Sequence, residues 1–281
     1  MSNRVLFSVA GKLSFVSSQH NFGRATLRSL LRLAHAVRLD TMVKLSLEVI
    51  EDLTLTRLLM LQRPMRTQLP RNVKFLLTDA SGIDGAGYMM VDGAHGMGRV
   101  VQFGWSRFPR HLLLQAATED GKTASTAELS GGGHGQEDKC RLGGERQQAS
   151  STLLEVMGAA LALAASIESE RQATIIMICD SQSAVHSLNK MYSKGVYTNQ
   201  ILKFMGGLLC FADATLRVVH RSREHLSAVD CLSHGDLEGF HRCVSGPRPE
   251  LPVEASRRVR ELLMDQCPST PMILEYLASC K

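Results

Sequence analysis

The chain has few aromatic residues, no long apolar run and no ordered cysteine spacing. Aromatic residues make up 5% of the 281 positions, with a single tryptophan, Trp105, so stacking of bases on an aromatic platform is not the expected binding mode. No uninterrupted apolar run approaches the roughly 18 residues of a membrane span, and the opening segment lacks the apolar core and cleavage site of a secretion signal. The seven cysteines are scattered, which indicates reduced thiols in an intracellular protein, nuclear or cytoplasmic, with no membrane partner.

Acidic residues are absent from the first 39 positions. Residues 1–72 carry eleven Lys and Arg against four Asp and Glu, whereas the remainder carries 21 against 23. An Arg- and Ser-rich start without acids is shared with organellar presequences. That explanation is disfavoured, because a basic segment beside an acid-bearing domain suits a protein that binds a polyanion such as nucleic acid.

The basic segment, 1–71, is predicted to be helical. Residues 22–38 place leucines at helical spacing, and a second helix is predicted over 43–61. Pro64 and Pro70 then indicate a domain boundary. Three arginines recur at i, i+4 and i+8 in the first helix: Arg24, Arg28 and Arg32. This stripe fits either a solvated helix face or a contact with nucleic acid.

From residue 73 the pattern changes to strands. Three strands are predicted to form an antiparallel meander, and helices then alternate with two more strands. The predicted elements are strands 73–81, 86–91 and 99–106, helix 152–167, strand 173–180, helices 183–192 and 197–212, strand 215–220 and a helix from Ala228. This order predicts an α/β fold with a mixed five-stranded sheet and helices on both faces, in a domain spanning 72–240. Residues 117–151 are predicted to be a disordered insertion, and 241–281 a tail with a short helix at 254–265.

Four acids stand where apolar or turn residues are usual: Asp79, Glu155, Asp180 and Asp230. The first and third end nearly continuous apolar strands, and ligands in such sheets collect beyond the carboxyl ends of central strands. Glu155 shares a helix face with small residues, which would let it approach those strand ends. Each acid taken singly is compatible with a structural role. Together they predict a divalent-metal site, because buried carboxylates are costly without a cation and magnesium prefers oxygen ligands.

The motifs around these acids resemble the ribonuclease H domain of retroelement reverse transcriptases. The matching stretches are TDASGIDGAGYMM, TLLEVMGAALAL, MICDSQSAVHSLNK and VVHRSREHLSAVDCLSH, the last ending close to the pattern AD-x-L-S-R. Residues 10–35 also resemble the thumb or connection region that follows the polymerase palm. The resemblance covers about 10–38, 73–106 and 151–234. It implies a ribonuclease H-like fold and a metal-dependent endoribonuclease that hydrolyses the RNA strand of RNA–DNA hybrids. The Tyr-x-Asp-Asp motif of a palm is absent, so the chain resembles a C-terminal part of a larger polyprotein.

Roles for individual residues follow from the resemblance. The four acids would bind two Mg²⁺ ions, with Mn²⁺ as an alternative. His220, or with less support His225, would be the general base or product-release residue, although His220 also fits a structural strand-end histidine. Arg221 and Arg223 would contact backbone phosphates, together with the arginine stripe. Two serines beside the strand-end acids are candidates for hydrogen bonds to ligand or phosphate: Ser81 and Ser181.

The sequence departs from the family pattern in four places. The gap between Asp79 and Glu155 is long, Ser181 stands where Asn is frequent, Val229 replaces Ala, and His234 replaces Arg. None of these differences removes a carboxylate. The expectation of a metal site is therefore stronger than the expectation of efficient catalysis.

Three other interpretations stay open at this point. One is a catalytically inactive, nucleic-acid-binding remnant of the same fold. Another is a DNA-acting nuclease of the transposase or integrase type, although those sites usually place the glutamate last. The third is a zinc site, which is disfavoured because its spacing is not that of a standard knuckle. Its candidate ligands are Cys231, His234, His241 and Cys243.

Overall fold

A computed structural model describes most of the basic segment and of the α/β domain. The described residues are 2–20, 24–61, 72–82, 84–92, 96–104, 151–167 and 171–244. The predicted insertion, apart from residue 151, and the predicted tail helix at 254–265 lie outside them.

An open mixed sheet of five strands forms the centre of the described structure. The strands are β1 (Val73–Ala80), β2 (Gly85–Asp92), β3 (Gly96–Gly104), β4 (Thr174–Cys179) and β5 (Thr215–His220). They lie in the order β3-β2-β1-β4-β5. The first three pair antiparallel, whereas β1 with β4 and β4 with β5 pair in parallel. The predicted mixed five-stranded α/β sheet is confirmed.

Eight α-helices are present among the described residues. They are α1 (Asn3–Ser17), α2 (Arg28–Ala36), α3 (Leu47–Leu61), α4 (Ser151–Ile167), α5 (Gln182–Lys190), α6 (Val196–Ala212), α7 (Ser227–Ser233) and α8 (Leu237–Cys243). Short 3₁₀ turns precede α2 and α7 at Ala25–Leu27 and Arg223–His225. No helix in this part of the chain is long and apolar enough to cross a bilayer.

The two faces of the sheet are covered by different helices. Because successive strand residues point to opposite faces, Leu76 joins the cluster under α4 and α6 while Leu77 packs against the cluster under α7 and α8. The first cluster is the larger core and is closed by apolar α6 side chains such as Phe204. The second is centred on Val229, Leu232 and Phe240. Helix α8 crosses residue 240, where the sequence pattern suggested a boundary.

The basic segment folds as three helices around a small core of its own. Buried residues of this core include Leu6, Leu30 and Val49. Helix α1 lies within the segment predicted to be helical, but its bounds were not predicted, because apolar residues such as Phe7 and Phe15 also occupy its exposed face. Its buried Asn3 donates from Nδ2 to the carbonyl oxygens of Ala34 and Val37, at 3.1 and 2.6 Å. These bonds satisfy the open carbonyls at the end of α2.

The predicted helices of this segment are shorter in the structure. Within the helix predicted over 22–38, the described residues 24–38 form the 3₁₀ turn and α2, and the helix predicted over 43–61 begins at Leu47. At that second start, the Ser46 hydroxyl accepts a hydrogen bond from the Val49 amide at 3.4 Å. Serine is a favoured residue at a helix start for this reason.

A buried ion pair joins the basic segment to helix α6 of the α/β domain. Lys203 of α6 lies 2.5 Å from Asp52 of α3, with exposed fractions of 2% and 1%. The Ser29 hydroxyl donates to the other oxygen of Asp52 at 2.5 Å. Asn199 of α6 also donates to the carbonyl oxygen of Ala25 at 2.8 Å. The segment is therefore fixed to α6 by partnered polar groups.

The prediction of an exposed three-arginine stripe is wrong at Arg28. Its side chain is buried, and its guanidinium donates to the carbonyl oxygen of Lys194, at 2.7 Å from Nη2 and 3.2 Å from Nε. The helix begins only at this residue, so Arg24 lies before the 3₁₀ turn and does not share the helix face. Arg32 is exposed and bonds Glu48 at 3.1 Å. The helical spacing of the arginines did not show that Arg28 is buried, because its burial results from the packing of α2 against the loop before α6.

Candidate metal centre

Three of the four predicted acids meet at one edge of the sheet. Asp79 lies near the end of β1, and Asp180 directly follows β4. These strands run in parallel with Leu77 opposite Ile178, so both acids leave the sheet at the same end. One carboxylate oxygen from each of Asp79, Glu155 and Asp180 lies within 4.8 Å of the others. This group is called the acid cluster below.

Small residues on α4 bring Glu155 to the strand ends. Gly158 lies one turn further along the helix, and a Cβ added there would stand 3.1 Å from the Cβ of Ala86 and 3.5 Å from that of Ala80. A larger side chain would hold the helix away from β1 and β2. The close approach also lets the Ala80 amide donate a hydrogen bond to the buried Glu155 carboxylate.

Burial makes the acid cluster electrostatically unfavourable without a cation. Desolvation is the main cause of a raised pKa at Asp79, and the nearby carboxylates of Asp180 and Asp230 raise it further. The pKa of Glu155 is raised well above its ordinary value, again first by burial and then by Asp79 and Asp180. A bound metal ion offsets the repulsion between neighbouring carboxylates, which otherwise cannot all be ionised without a high cost in free energy. Three carboxylates at this spacing are a suitable donor set for a hard divalent cation.

A neighbouring thiol does not belong to this donor set. Burial, and secondarily Glu155, raises the pKa of Cys179 to about 12. The thiol therefore stays protonated at neutral pH, whereas a metal-binding cysteine must be a thiolate. The donors at this edge of the sheet are oxygens.

Ser233 completes the surroundings of Asp79 and was not predicted as a site residue. Its hydroxyl is fully buried and donates to Oδ2 of Asp79 at 2.5 Å. This bond acts against burial by lowering the pKa of Asp79. The signal in the sequence was a serine in the turn of α7 that also carries the buried Val229 and Leu232. A polar side chain buried at such a position requires a partner.

Asp230 lies beside the acid cluster rather than inside it. Its Oδ1 accepts two hydrogen bonds from Arg223, one from Nε at 2.7 Å and one from Nη2. The side chains of Asp230 and Arg223 are 25% and 62% exposed. The bond to Asp230 is the main cause of a raised pKa at Arg223. The arginine expected to contact phosphate is thus directed at the fourth acid.

A second chain of polar contacts holds Arg223 from the other side. Nη2 of Arg223 lies 3.3 Å from Nε2 of His234, and Nδ1 of that histidine lies 2.9 Å from Oδ2 of Asp84. Ser81 contacts the same Asp84 oxygen at 3.2 Å. Because a guanidinium can only donate, Nε2 of His234 accepts from Arg223 while Nδ1 donates to Asp84.

The predicted histidines do not enter the acid cluster. His220 donates from Nε2 to the main-chain carbonyl oxygen of Asp180 at 2.9 Å, so it is tied to the site through the backbone. His225 is exposed, with Nδ1 3.0 Å from the hydroxyl of Ser222. Arg221 is exposed beside His220.

The two predicted serines have local structural partners. Ser81 is buried, and its hydroxyl accepts a hydrogen bond from the Asp84 amide at 3.2 Å in the turn after β1. The hydroxyl of Ser181 accepts from the Ala184 amide at 3.3 Å and caps α5. Both serines shape the loops that carry the strand-end acids.

The candidate zinc ligands do not form a second centre. Among the described residues, the acid cluster is the only group of three or more His, Cys, Asp or Glu side chains with metal-ligand spacing. All four zinc candidates lie in that part of the chain.

No protein-family model matches the chain, and no curated protein shows significant similarity to it.

Proposed function

We propose that the protein is a metal-dependent endonuclease of the ribonuclease H type that hydrolyses the RNA strand of RNA–DNA hybrids. The observation that carries the proposal is the acid cluster, three carboxylates within 4.8 Å of one another, two from the carboxyl ends of adjacent parallel strands and one from α4. The ribonuclease H-like fold is part of the proposal. It is supported by an antiparallel meander followed by two parallel strands, in the order β3-β2-β1-β4-β5, around motifs that resemble that family.

The residues of the site fit a divalent cation. Asp79 and Glu155 are buried, whereas Asp180 is partly exposed, so the cluster opens toward solvent on one side. The pKa values of the two buried acids are raised first by burial and then by the negative charge of neighbouring carboxylates, which Arg223 offsets only in part. Bound Mg²⁺ or Mn²⁺ would balance that charge, activate a water molecule and stabilise negative charge on a scissile phosphate.

The protein's part in the reaction is to hold the carboxylates in place. Ser233 fixes one oxygen of Asp79, and the Ala80 amide fixes Glu155. His220 holds the Asp180 main chain through Nε2, which donates to the carbonyl oxygen of Asp180. Fixed ligands reduce the reorganisation needed when the substrate binds.

The expected substrate is an RNA–DNA hybrid duplex, in which the protein must distinguish the RNA strand from the DNA strand. Discrimination of the RNA strand would rest on 2′-hydroxyl contacts across a shallow minor groove. Arg221, beside the site, and Arg24, on the basic segment, are exposed and remain candidates for phosphate contacts. Binding through such residues would weaken steeply as salt concentration rises.

The decisive experiment is cleavage of a hybrid labelled on its RNA strand, with Mg²⁺ omitted and then restored. Wild type is expected to cut only with metal. Asp79→Asn and Asp180→Asn are each expected to lower the rate at least about a hundredfold, equivalent to roughly 2.7 kcal/mol. Asp40→Asn, at an exposed acid of the basic segment, is the matched control and should cut normally. Equal cleavage by wild type and Asp79→Asn would end the proposal.

The ion pair between Arg223 and Asp230 favours a second candidate, an inactive nucleic-acid-binding protein of the same fold. A carboxylate bonded to arginine contributes less to a metal site. Binding of the hybrid without turnover, unchanged in Asp180→Asn, would support this candidate. Cleavage of duplex DNA but not of hybrid would instead favour a nuclease of the transposase or integrase type.

A further inference from the structure

Arg223 forms a hydrogen-bonded ion pair with Asp230, the fourth predicted acid of the site. Two guanidinium nitrogens, Nε and Nη2, donate to the same oxygen of Asp230. A metal ion that binds Oδ1 of Asp230 would have to displace both of these hydrogen bonds. It would then lie next to the positively charged guanidinium. The acid cluster makes no such demand, because its buried carboxylates have no arginine or lysine among the hydrogen-bond partners found for them.

The guanidinium is held on two sides. Nη2 bridges Asp230 and Nε2 of His234, which is oriented in turn by Asp84 at 2.9 Å. Arg223 begins the 3₁₀ turn Arg223–His225, across which the Ser222 hydroxyl contacts Nδ1 of His225 at 3.0 Å. The arginine charge is therefore placed beside the acid cluster by several side chains. It is close enough to act on both buried carboxylates, Asp79 and Glu155, as a favourable charge.

We infer that the Arg223 guanidinium supplies at Asp230 the positive charge that a second metal ion would supply, so that this site binds one divalent cation, at Asp79, Glu155 and Asp180. The inference rests on the proposed metal site and replaces the pair of ions that the family resemblance implies. Arginine is a permanent cation that cannot be removed by chelators or by ordinary changes of pH. Asp230 then serves as a positioning residue for the guanidinium.

The test is the number of Mn²⁺ ions bound per full-length chain, measured by calorimetry and by the electron paramagnetic resonance signal of free Mn²⁺. Wild type is expected to bind one ion. Arg223→Ala is expected to bind two, because Asp230 becomes available, and the double variant Arg223→Ala with Asp230→Asn should return to one. Arg221→Ala, at the exposed neighbouring arginine, is the matched control and should stay at one.

Several outcomes would overturn the inference. Wild type that binds two Mn²⁺ ions, or none, would contradict it. So would an Arg223→Ala variant that binds only one ion and whose thermal melting shows that it is folded. The result is separable from the nuclease proposal. A change from one ion to two without hybrid cleavage would uphold the role of Arg223 and reject the activity, whereas cleavage with two ions in wild type would do the reverse.

Discussion

The hydroxyl of Ser233 lies 2.5 Å from a carboxylate oxygen of Asp79, although 154 positions separate the two residues in the chain. This bond joins α7 to β1 at the acid cluster. The bond lowers the pKa of Asp79, whereas burial raises it. The packing of α7 on the sheet is therefore coupled to the ionisation of Asp79.

Replacing Ser233 by alanine should therefore weaken both folding and metal binding. Loss of a buried hydrogen bond to a carboxylate is expected to cost about 1–3 kcal/mol of the free energy of unfolding. The pKa of Asp79 should rise further, so Mg²⁺ binding should need a higher pH. Urea unfolding and Mg²⁺ titration at several pH values measure the two effects. Ser227→Ala, at an exposed serine of the same helix, should change stability by less than about 0.5 kcal/mol.

The buried Glu155 should make the metal-free protein less stable as pH rises. Its native pKa lies well above its ordinary value of 4.5, so the folded state holds the proton more tightly than the unfolded state. This contribution to stability is complete below the unfolded pKa and is lost as pH increases through the native pKa. Glu155→Gln should remove that loss and raise the melting temperature in metal-free buffer at neutral pH.

Magnesium should reverse the order of the melting temperatures of wild type and Glu155→Gln. It is expected to raise the melting temperature of wild type and to have little effect on Glu155→Gln, with each kcal/mol worth about 2–4 °C at this size. Glu238→Gln, at an exposed acid of α8, should behave as wild type. A wild type that melts lower than Glu155→Gln at every magnesium concentration would contradict a metal-binding role.

The buried pair of Asp52 and Lys203 should hold the basic segment against α6. Lys203→Met leaves Asp52 charged in a buried position and should cost about 3–5 kcal/mol in the free energy of unfolding. Adding Asp52→Leu to the same protein should recover much of that loss. The exposed pair of Arg4 and Asp40 is the control, since its side chains are 76% and 86% exposed and its removal should cost about 1 kcal/mol or less. Equal costs for the two pairs would show that burial does not matter here.

Gly87 should be required for the close packing of α7 on the sheet. A Cβ added there would stand 2.4 Å from the Cβ of Leu232 and 3.0 Å from the amide nitrogen of Ser233. Gly87→Ala should therefore displace α7, cost about 1–3 kcal/mol and weaken Mg²⁺ binding by moving Ser233. Gly11→Ala in α1 meets no atom within 4 Å and should stabilise by about 0.5–1 kcal/mol. Urea unfolding and Mg²⁺ titration of both variants provide the comparison.

Sequence patterns were sufficient for the sheet and for three of the four candidate acids. The apolar runs before Asp79 and Asp180 are long and bounded by turns, so their periodicity identified two central strands and the edge at which both acids emerge. The small residues beside Glu155 indicated a close helix approach. These signals are local, and local patterns decide which residues lie on which face.

The contacts of charged side chains could not be obtained in the same way. The pairing of Arg223 with Asp230 depends on the 3₁₀ turn between β5 and α7, and the burial of Arg28 depends on the docking of α2 near Lys194. Both are tertiary arrangements without a periodic signal. Ser233 was missed for a related reason, because its partner Asp79 is distant in the chain. Charge and polarity in the sequence show that a partner is needed, but only the fold selects it.

The position of a bound ion tests the central claim most directly. Crystals grown with Mn²⁺ and measured at its absorption edge locate the ion by anomalous scattering. The expected result is a peak coordinated by oxygens of Asp79, Glu155 and Asp180, absent from crystals of Asp180→Asn. A peak elsewhere on the protein, or none at a saturating Mn²⁺ concentration, would contradict the assignment of these three carboxylates as a metal centre.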